Sequence, residues 1–108
     1  MKKPRLLLAD DHRLVAEGLR GLLEPDYQLV GIVENGRELL EAAARLMPDV
    51  VVADVSMPLL NGIEAVRQLK KKTPEVVVVF LTMHLDVAYA ASAFEAGASG
   101  YVDRKSVV

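Results

Sequence analysis

Arg5-Leu6-Leu7-Leu8-Ala9 runs straight into Asp10-Asp11, and Val50-Val51-Val52-Ala53 runs straight into Asp54. A continuous apolar run of this length, rich in Val and Leu, suits a parallel strand covered by helices on both faces. In open α/β sheets, ligands bind in the crevice outside the carboxyl ends of the strands. Two such strands, each ending in carboxylate, therefore gather Asp10, Asp11 and Asp54 at one sheet edge. Three negative charges held that close favour a cation among them. Carboxylate oxygens are hard donors, and the ions they suit are Mg2+, Ca2+ and Mn2+.

Outward from these runs the chain alternates. Strand-like segments fall at residues 5–10, 27–33, 49–54, 76–82 and 100–103, with helical segments at about 12–24, 36–46, 61–72 and 86–96 between them. Strands alternating with helices make a parallel sheet with right-handed crossovers. The first helix carries Leu14, Val15, Leu19, Leu22 and Leu23 on one stripe, with Asp11 as the expected N-cap and Pro25-Asp26 as the stop. The second carries Leu39, Leu40, Ala43, Ala44 and Met47 and ends at Pro48; the third carries Ile63, Val66 and Leu69. Lys70-Lys71-Lys72 closes the third helix, where cations favour a helix C-terminus and the face is solvated. The fourth helix has only Val87, Tyr89 and Phe94 as large apolar groups, with Gly97 as its left-handed cap, and a face that thin makes it easily displaced.

Bulk properties narrow the function. A chain of 108 residues with 52% hydrophobic residues makes one small domain. A net charge of −2 gives no footprint for direct nucleic-acid contact. The absence of cysteine removes disulfides, thiolate catalysis and zinc–thiolate sites. The apolar stretch after Met1-Lys2-Lys3-Pro4-Arg5 is too short for a secretory signal, and no stretch is long enough to span a bilayer. The expectation is a soluble cytoplasmic domain.

The carboxylates have companions. Asp54 precedes Ser56-Met57-Pro58 and Asn61-Gly62; the fourth strand ends in Thr82, and the fifth ends near Arg104 and Lys105. One carboxylate nucleophile, two more to bind a metal, one hydroxyl donor and one cation make a site for phosphoryl transfer to aspartate. A carboxylate is already ionised, so no general base is required.

In order and spacing, Asp10-Asp11, Asp54 with Met57-Pro58 and Gly62, Thr82, and Gly97-Ala98-Ser99-Gly100-Tyr101 resemble the receiver domains of bacterial two-component response regulators. Asp11-His12-Arg13-Leu14-Val15 and Leu81-Thr82-Met83-His84 resemble the NarL type, whose members carry a LuxR-type helix-turn-helix output domain. The resemblance implies a doubly wound five-stranded parallel sheet in the flavodoxin-like order 2-1-3-4-5. It implies Asp54 as phosphoacceptor, with Mg2+ held by Asp10, Asp11, Asp54 and the backbone carbonyl of Ser56. It implies Thr82 as the hydroxyl that contacts the phosphoryl group and Tyr101 as the switch aromatic. The implied partners are a sensor histidine kinase and the output domain; a homodimer is the further partner considered. His12 and His84 are read as solvent-side residues at the rim, and Met83 as a bulky side chain narrowing access.

Two features depart from the family pattern. Its lysine falls at Arg104, whose forked guanidinium differs in reach and shape from an ammonium; Lys105 cannot replace it by sliding one residue. Arg104 is therefore the expected cation, and its bond to Lys105 is expected trans. The chain also stops at Ser106-Val107-Val108, where a fifth helix would begin. This reads as a receiver across residues 1–108 without most of that helix or an output domain, less stable than a longer chain and prone to self-associate. An aspartate-nucleophile phosphatase of the haloacid dehalogenase type is the enzyme alternative, but Ser56 stands where its second aspartate is needed. A receiver-like interaction module without phosphate control is the other.

Overall fold

The computed structural model describes residues 3–54, 62–82 and 100–103, with Thr82 and the last four described by their backbone. In chain order the elements are β1 (Arg5–Ala9), α1 (Arg13–Leu23), β2 (Gln28–Val33), α2 (Gly36–Leu46), β3 (Val50–Asp54), α3 (Gly62–Lys72), β4 (Val77–Thr82) and β5 (Gly100–Asp103). The five strands form one parallel sheet in the order β2-β1-β3-β4-β5, as the family resemblance implies. The helix expected at 86–96 lies outside the described residues.

Alternation along the strands supplies two cores. Leu7, Ala9, Val51, Ala53, Val78 and Phe80 point to one face, where Leu39, Ala42 and Ala43 of α2 and Ala65, Val66 and Leu69 of α3 cover them. Leu6, Leu8, Val52 and Leu81 point to the other, against Ala16 and Leu19 of α1. Phe80 is the largest fully buried side chain among the described residues. β2 breaks the alternation. Leu6 pairs with Leu29 but Leu7 with Gly31, so Val30 forms a one-residue bulge that re-aims the strand. Leu29 and Ile32 then face α1, while Val30 and Val33 face α2.

Helix boundaries follow local chemistry. Asn35 caps α2 by accepting from Glu38 N–H at 2.8 Å, and Glu38 reaches back to accept from Glu34 N–H at 3.0 Å. The Lys70 ammonium donates to the carbonyls of Pro74 (2.7 Å) and Val76 (2.8 Å), tying the end of α3 to the approach to β4. That lysine has a structural task, whereas Lys71 and Lys72 are the solvated pair the sequence leads one to expect.

Three expectations need correction. The N-cap of α1 is His12, not Asp11, because the Asp10 carboxylate accepts from the His12 N–H at 2.8 Å and delays the helix by one residue. Leu14 and Leu22 do not share the buried stripe; they are 90% and 58% exposed, and the covered contacts are made by Ala16 and Leu19 with Val15 and Leu23 half-buried. Met47 ends α2 in the left-handed region (φ 50°, ψ 60°) and is exposed, while Ala42 takes the buried position beside Ala43.

Candidate functional site

The sheet register brings the carboxylates together. Ala9 of β1 pairs with Ala53 of β3, so Asp10 and Asp54 leave adjacent strands at the same level. The Asp10 N–H donates to Val33 O at 2.9 Å, carrying the β1–β2 ladder one residue past the strand and fixing where Asp10 stands. Asp10 and Asp54 are the buried polar residues among those described, at 1% and 2% exposure. Burying two carboxylates this deeply costs heavily unless a cation or donors face them.

His12 supplies part of that compensation. Its Nδ1 lies 2.9 Å from Asp11 Oδ1, 3.2 Å from Asp10 Oδ1 and 3.6 Å from Asp54 Oδ2. One atom from each of these four residues falls within 4.8 Å of the others. The following helix adds to the effect, since the N-terminus of α1 favours negative charge before it. Arg13 and Glu34 form an exposed pair at 3.7 Å beside the site, of little energetic weight.

Backbone packing fixes the level of Asp54. It pairs with Leu81 of β4, and the first residue of α3, Gly62, is packed against its carbonyl. A Cβ at position 62 would fall inside 3.0 Å of the Asp54 carbonyl oxygen and lie 3.3 Å from Phe80 Cε1. Glycine is needed there for the close approach of backbone to backbone.

Of the residues expected from sequence, Asp10, Asp11 and Asp54 are brought together. Thr82 stands at the end of β4, one residue past the partner of Asp54, and Tyr101 pairs with Phe80 from β5. Ser56, Met83, His84, Arg104 and Lys105 lie outside the described residues. His12 stands at the rim, as expected; the aim of its ring is what the sequence did not indicate. It is half exposed at 56% of its side chain, as a rim residue would be, yet its Nδ1 faces the carboxylates. The available signal was the Asp10-Asp11-His12 run: an aspartate that accepts the N–H two residues on folds the chain back over itself.

The donor set suits a divalent cation. Three carboxylates supply hard oxygen atoms, and an octahedral ion would have positions left for solvent and for a ligand's own oxygens. Among the described residues, no helix is long and apolar enough to cross a membrane.

Comparison with known proteins gives a consistent picture. The sequence model of the response regulator receiver domain family matches residues 6–107. The transcriptional regulatory protein DegU of Brevibacillus brevis is 37% identical over 102 residues, a match that takes in 93% of this chain and 43% of DegU. The response regulator UvrY of Escherichia coli is 36% identical over 92% of this chain and 46% of its own length. The chain thus spans less than half the length of these curated relatives. Among solved structures, a LuxR-family two-component response regulator from an Aurantimonas species superposes with a TM-score of 0.90 at 39% identity, over 95% of this chain and 75% of that one. The signal receiver domain of NarL from Mycobacterium tuberculosis superposes with a TM-score of 0.92 at 26% identity, over 96% and 86%.

Proposed function

Since the chain belongs to the response regulator receiver domain family, we propose that it is a signalling switch that takes a phosphoryl group on Asp54 from a phosphohistidine of a sensor kinase. The observation that carries this reading is the placement of Asp54, buried at the end of β3 with Asp10 and Asp11 within reach of one ion. An Asp54 carboxylate oxygen attacks phosphorus in line; the new O–P bond forms as the N–P bond to the donor imidazole breaks. The departing imidazole keeps the electron pair and takes a proton from solvent. Bound Mg2+ supplies neutralisation of the charge on the phosphoryl oxygens.

Every other task falls to residues of this chain. Asp10, Asp11, Asp54 and the Ser56 carbonyl would hold the ion, Thr82 would donate to a phosphoryl oxygen, and Arg104 would provide the remaining positive charge. Tyr101 follows Thr82 and alters the β4–β5 side of the sheet, through which an output domain controlling transcription is governed. Water later hydrolyses the acyl phosphate, so the domain resets itself and is not a turnover enzyme on an external substrate.

Intact-mass spectrometry after incubation with acetyl phosphate and Mg2+ tests the reading. One labile phosphoryl group is expected on the wild-type chain and none on Asp54→Asn. Phosphorylation that persists in Asp54→Asn refutes the assignment. A wild-type chain that takes no phosphoryl group refutes the switch and leaves an interaction module.

A further inference from the structure

α1 presents to solvent a face that no described residue covers. Two of the large apolar side chains left exposed, Leu14 at 90% and Leu22 at 58%, stand on it, turned away from the Ala16 and Leu19 side that meets the sheet. Between them Gly18 and Gly21 are bare: a Cβ at either would meet nothing within 4 Å. Glycine is unfavourable inside a helix relative to alanine, and no packing among the described residues requires it here. Leu14, Gly18 and Leu22 follow one another at steps of four and so form one slanted ridge, low in the middle and high at both ends.

Charge runs along one flank of that ridge. Arg13, Glu17, Arg20 and Glu24 follow at steps of four, three and four, all exposed and alternating in sign. Within the chain they are weakly engaged: Glu17 and Arg20 lie 3.9 Å apart and Arg13 reaches Glu34 at 3.7 Å, in solvent. Charges flanking an apolar seam set the orientation in which two helices pack. In a parallel pair, the charged flank of one helix would meet the opposite flank of the other, the side that carries Leu22. In an antiparallel pair each flank meets its own kind. With Gly18 opposite Gly18, Leu14 of each copy stands opposite Leu22 of the other, and Arg13 and Glu17 come across from Glu24 and Arg20. All four charges then face their opposites, and one two-fold axis covers both leucines of both copies.

We propose that α1 is a self-docking surface, on which a second copy of this chain packs antiparallel about a two-fold axis through Gly18. The glycines let the two backbones approach closely, and the leucines close the ridge at each end. α1 has 11 residues, about 16 Å of helix, so the area covered falls below the roughly 1,200–2,000 Å² of stable complexes. The contact is therefore weak, with a dissociation constant of about 0.1–1 mM, and is strengthened by anything that holds two copies near each other. It uses none of the carboxylates of the site, and stands or falls separately from the phosphoryl-transfer reading.

Sedimentation equilibrium of the whole chain at concentrations up to about 1 mM reads the association. Leu14→Gln and Leu22→Gln are each expected to weaken it at least about tenfold, with the melting temperature unchanged because both side chains are exposed. Glu17→Arg should weaken it as well, and Glu17→Arg combined with Arg20→Glu should restore it to within about threefold of the wild type. The chain has no cysteine, so single replacements report the geometry cleanly. Under mild oxidation Gly18→Cys is expected to form a disulfide-linked dimer. Leu14→Cys is not, since its two copies stand about 12 Å apart across the axis. A chain that stays monomeric throughout, or an association indifferent to Leu14→Gln, overturns the docking surface. Linking of Leu14→Cys as readily as Gly18→Cys, or no rescue by the paired charge exchange, overturns the antiparallel arrangement.

Discussion

Replacing Gly62 by alanine should disturb this domain more than adding one methyl group elsewhere. The added Cβ would lie inside 3.0 Å of the Asp54 carbonyl oxygen, 3.1 Å from the Asp54 carbonyl carbon and 3.3 Å from Phe80 Cε1. None of these neighbours can yield cheaply. Asp54 belongs to β3, which is paired on both sides by β1 and β4, and Phe80 is fully buried between the sheet and its helices. The start of α3 must therefore lift away from the sheet, loosening Ala65 and Val66 in the core. Overpacking of this kind costs about 1–3 kcal/mol, less a few tenths for the better helix propensity of alanine. For a domain of this size the melting temperature should drop by roughly 5–15 °C. Gly18 and Gly21 in α1 make the internal control: a Cβ at either meets nothing within 4 Å. The same substitution there should stabilise by about 0.5–1 kcal/mol through reduced unfolded-state freedom. Thermal denaturation of the three variants, with acetyl phosphate labelling of each, gives opposite signs if the packing argument holds. A Gly62→Ala protein that melts with the wild type and is phosphorylated at the normal rate would refute it.

Two further substitutions probe the frame around the site. Lys70→Met keeps the aliphatic stem but removes both bonds to Pro74 and Val76, and should cost about 1–2 kcal/mol by chemical denaturation; Lys71→Met, on the exposed face, should cost nothing measurable. Met47→Gly should raise stability by about 0.5–1 kcal/mol, because Met47 holds a left-handed conformation immediately before Pro48 and contributes little buried surface. A melting temperature lowered by Met47→Gly would mean that its side chain packs more than its exposure indicates.

The legibility of the fold in the sequence came from burial. β1 and β3 are covered on both faces and β4 on the face of Val78 and Phe80, so their sequences are nearly unbroken runs of Leu and Val, and the first two runs stop at the buried carboxylates of Asp10 and Asp54. The helices were legible in position but less so in orientation. Leu14 and Leu22 fit a helical stripe with Leu19, yet α1 turns Ala16 and Leu19 to the sheet and leaves those two leucines outside. Apolar spacing gives the period of a helix, but a stripe with several adjacent candidates does not say which flank the sheet accepts. The bulge at Val30 was equally hidden, since Leu29-Val30-Gly31-Ile32-Val33 reads as an ordinary strand. Its register is set by what β1 presents across the sheet.

The site separates along the same line. Asp10 and Asp54 were legible because charge at the end of a buried run has no structural use, and buried carboxylate demands compensation. The role of Gly62 was legible only as part of a motif; the physical reason, backbone packed against backbone, depends on where α3 lands on β3. The aim of the His12 ring was hidden for a different reason. Histidine after two aspartates on the way into a helix is ordinarily exposed, and by surface area this one is. Its backbone is set by the bond from its own N–H to the Asp10 carboxylate, Asp10 is held in turn by Val33 of β2, and the ring then meets Asp11 and Asp10 at 2.9 and 3.2 Å. A nonlocal strand pairing therefore aims a side chain two residues away. That is why exposure and aim come apart here, and why a rim residue can bring its nitrogen to a site that residue types alone describe as all oxygen.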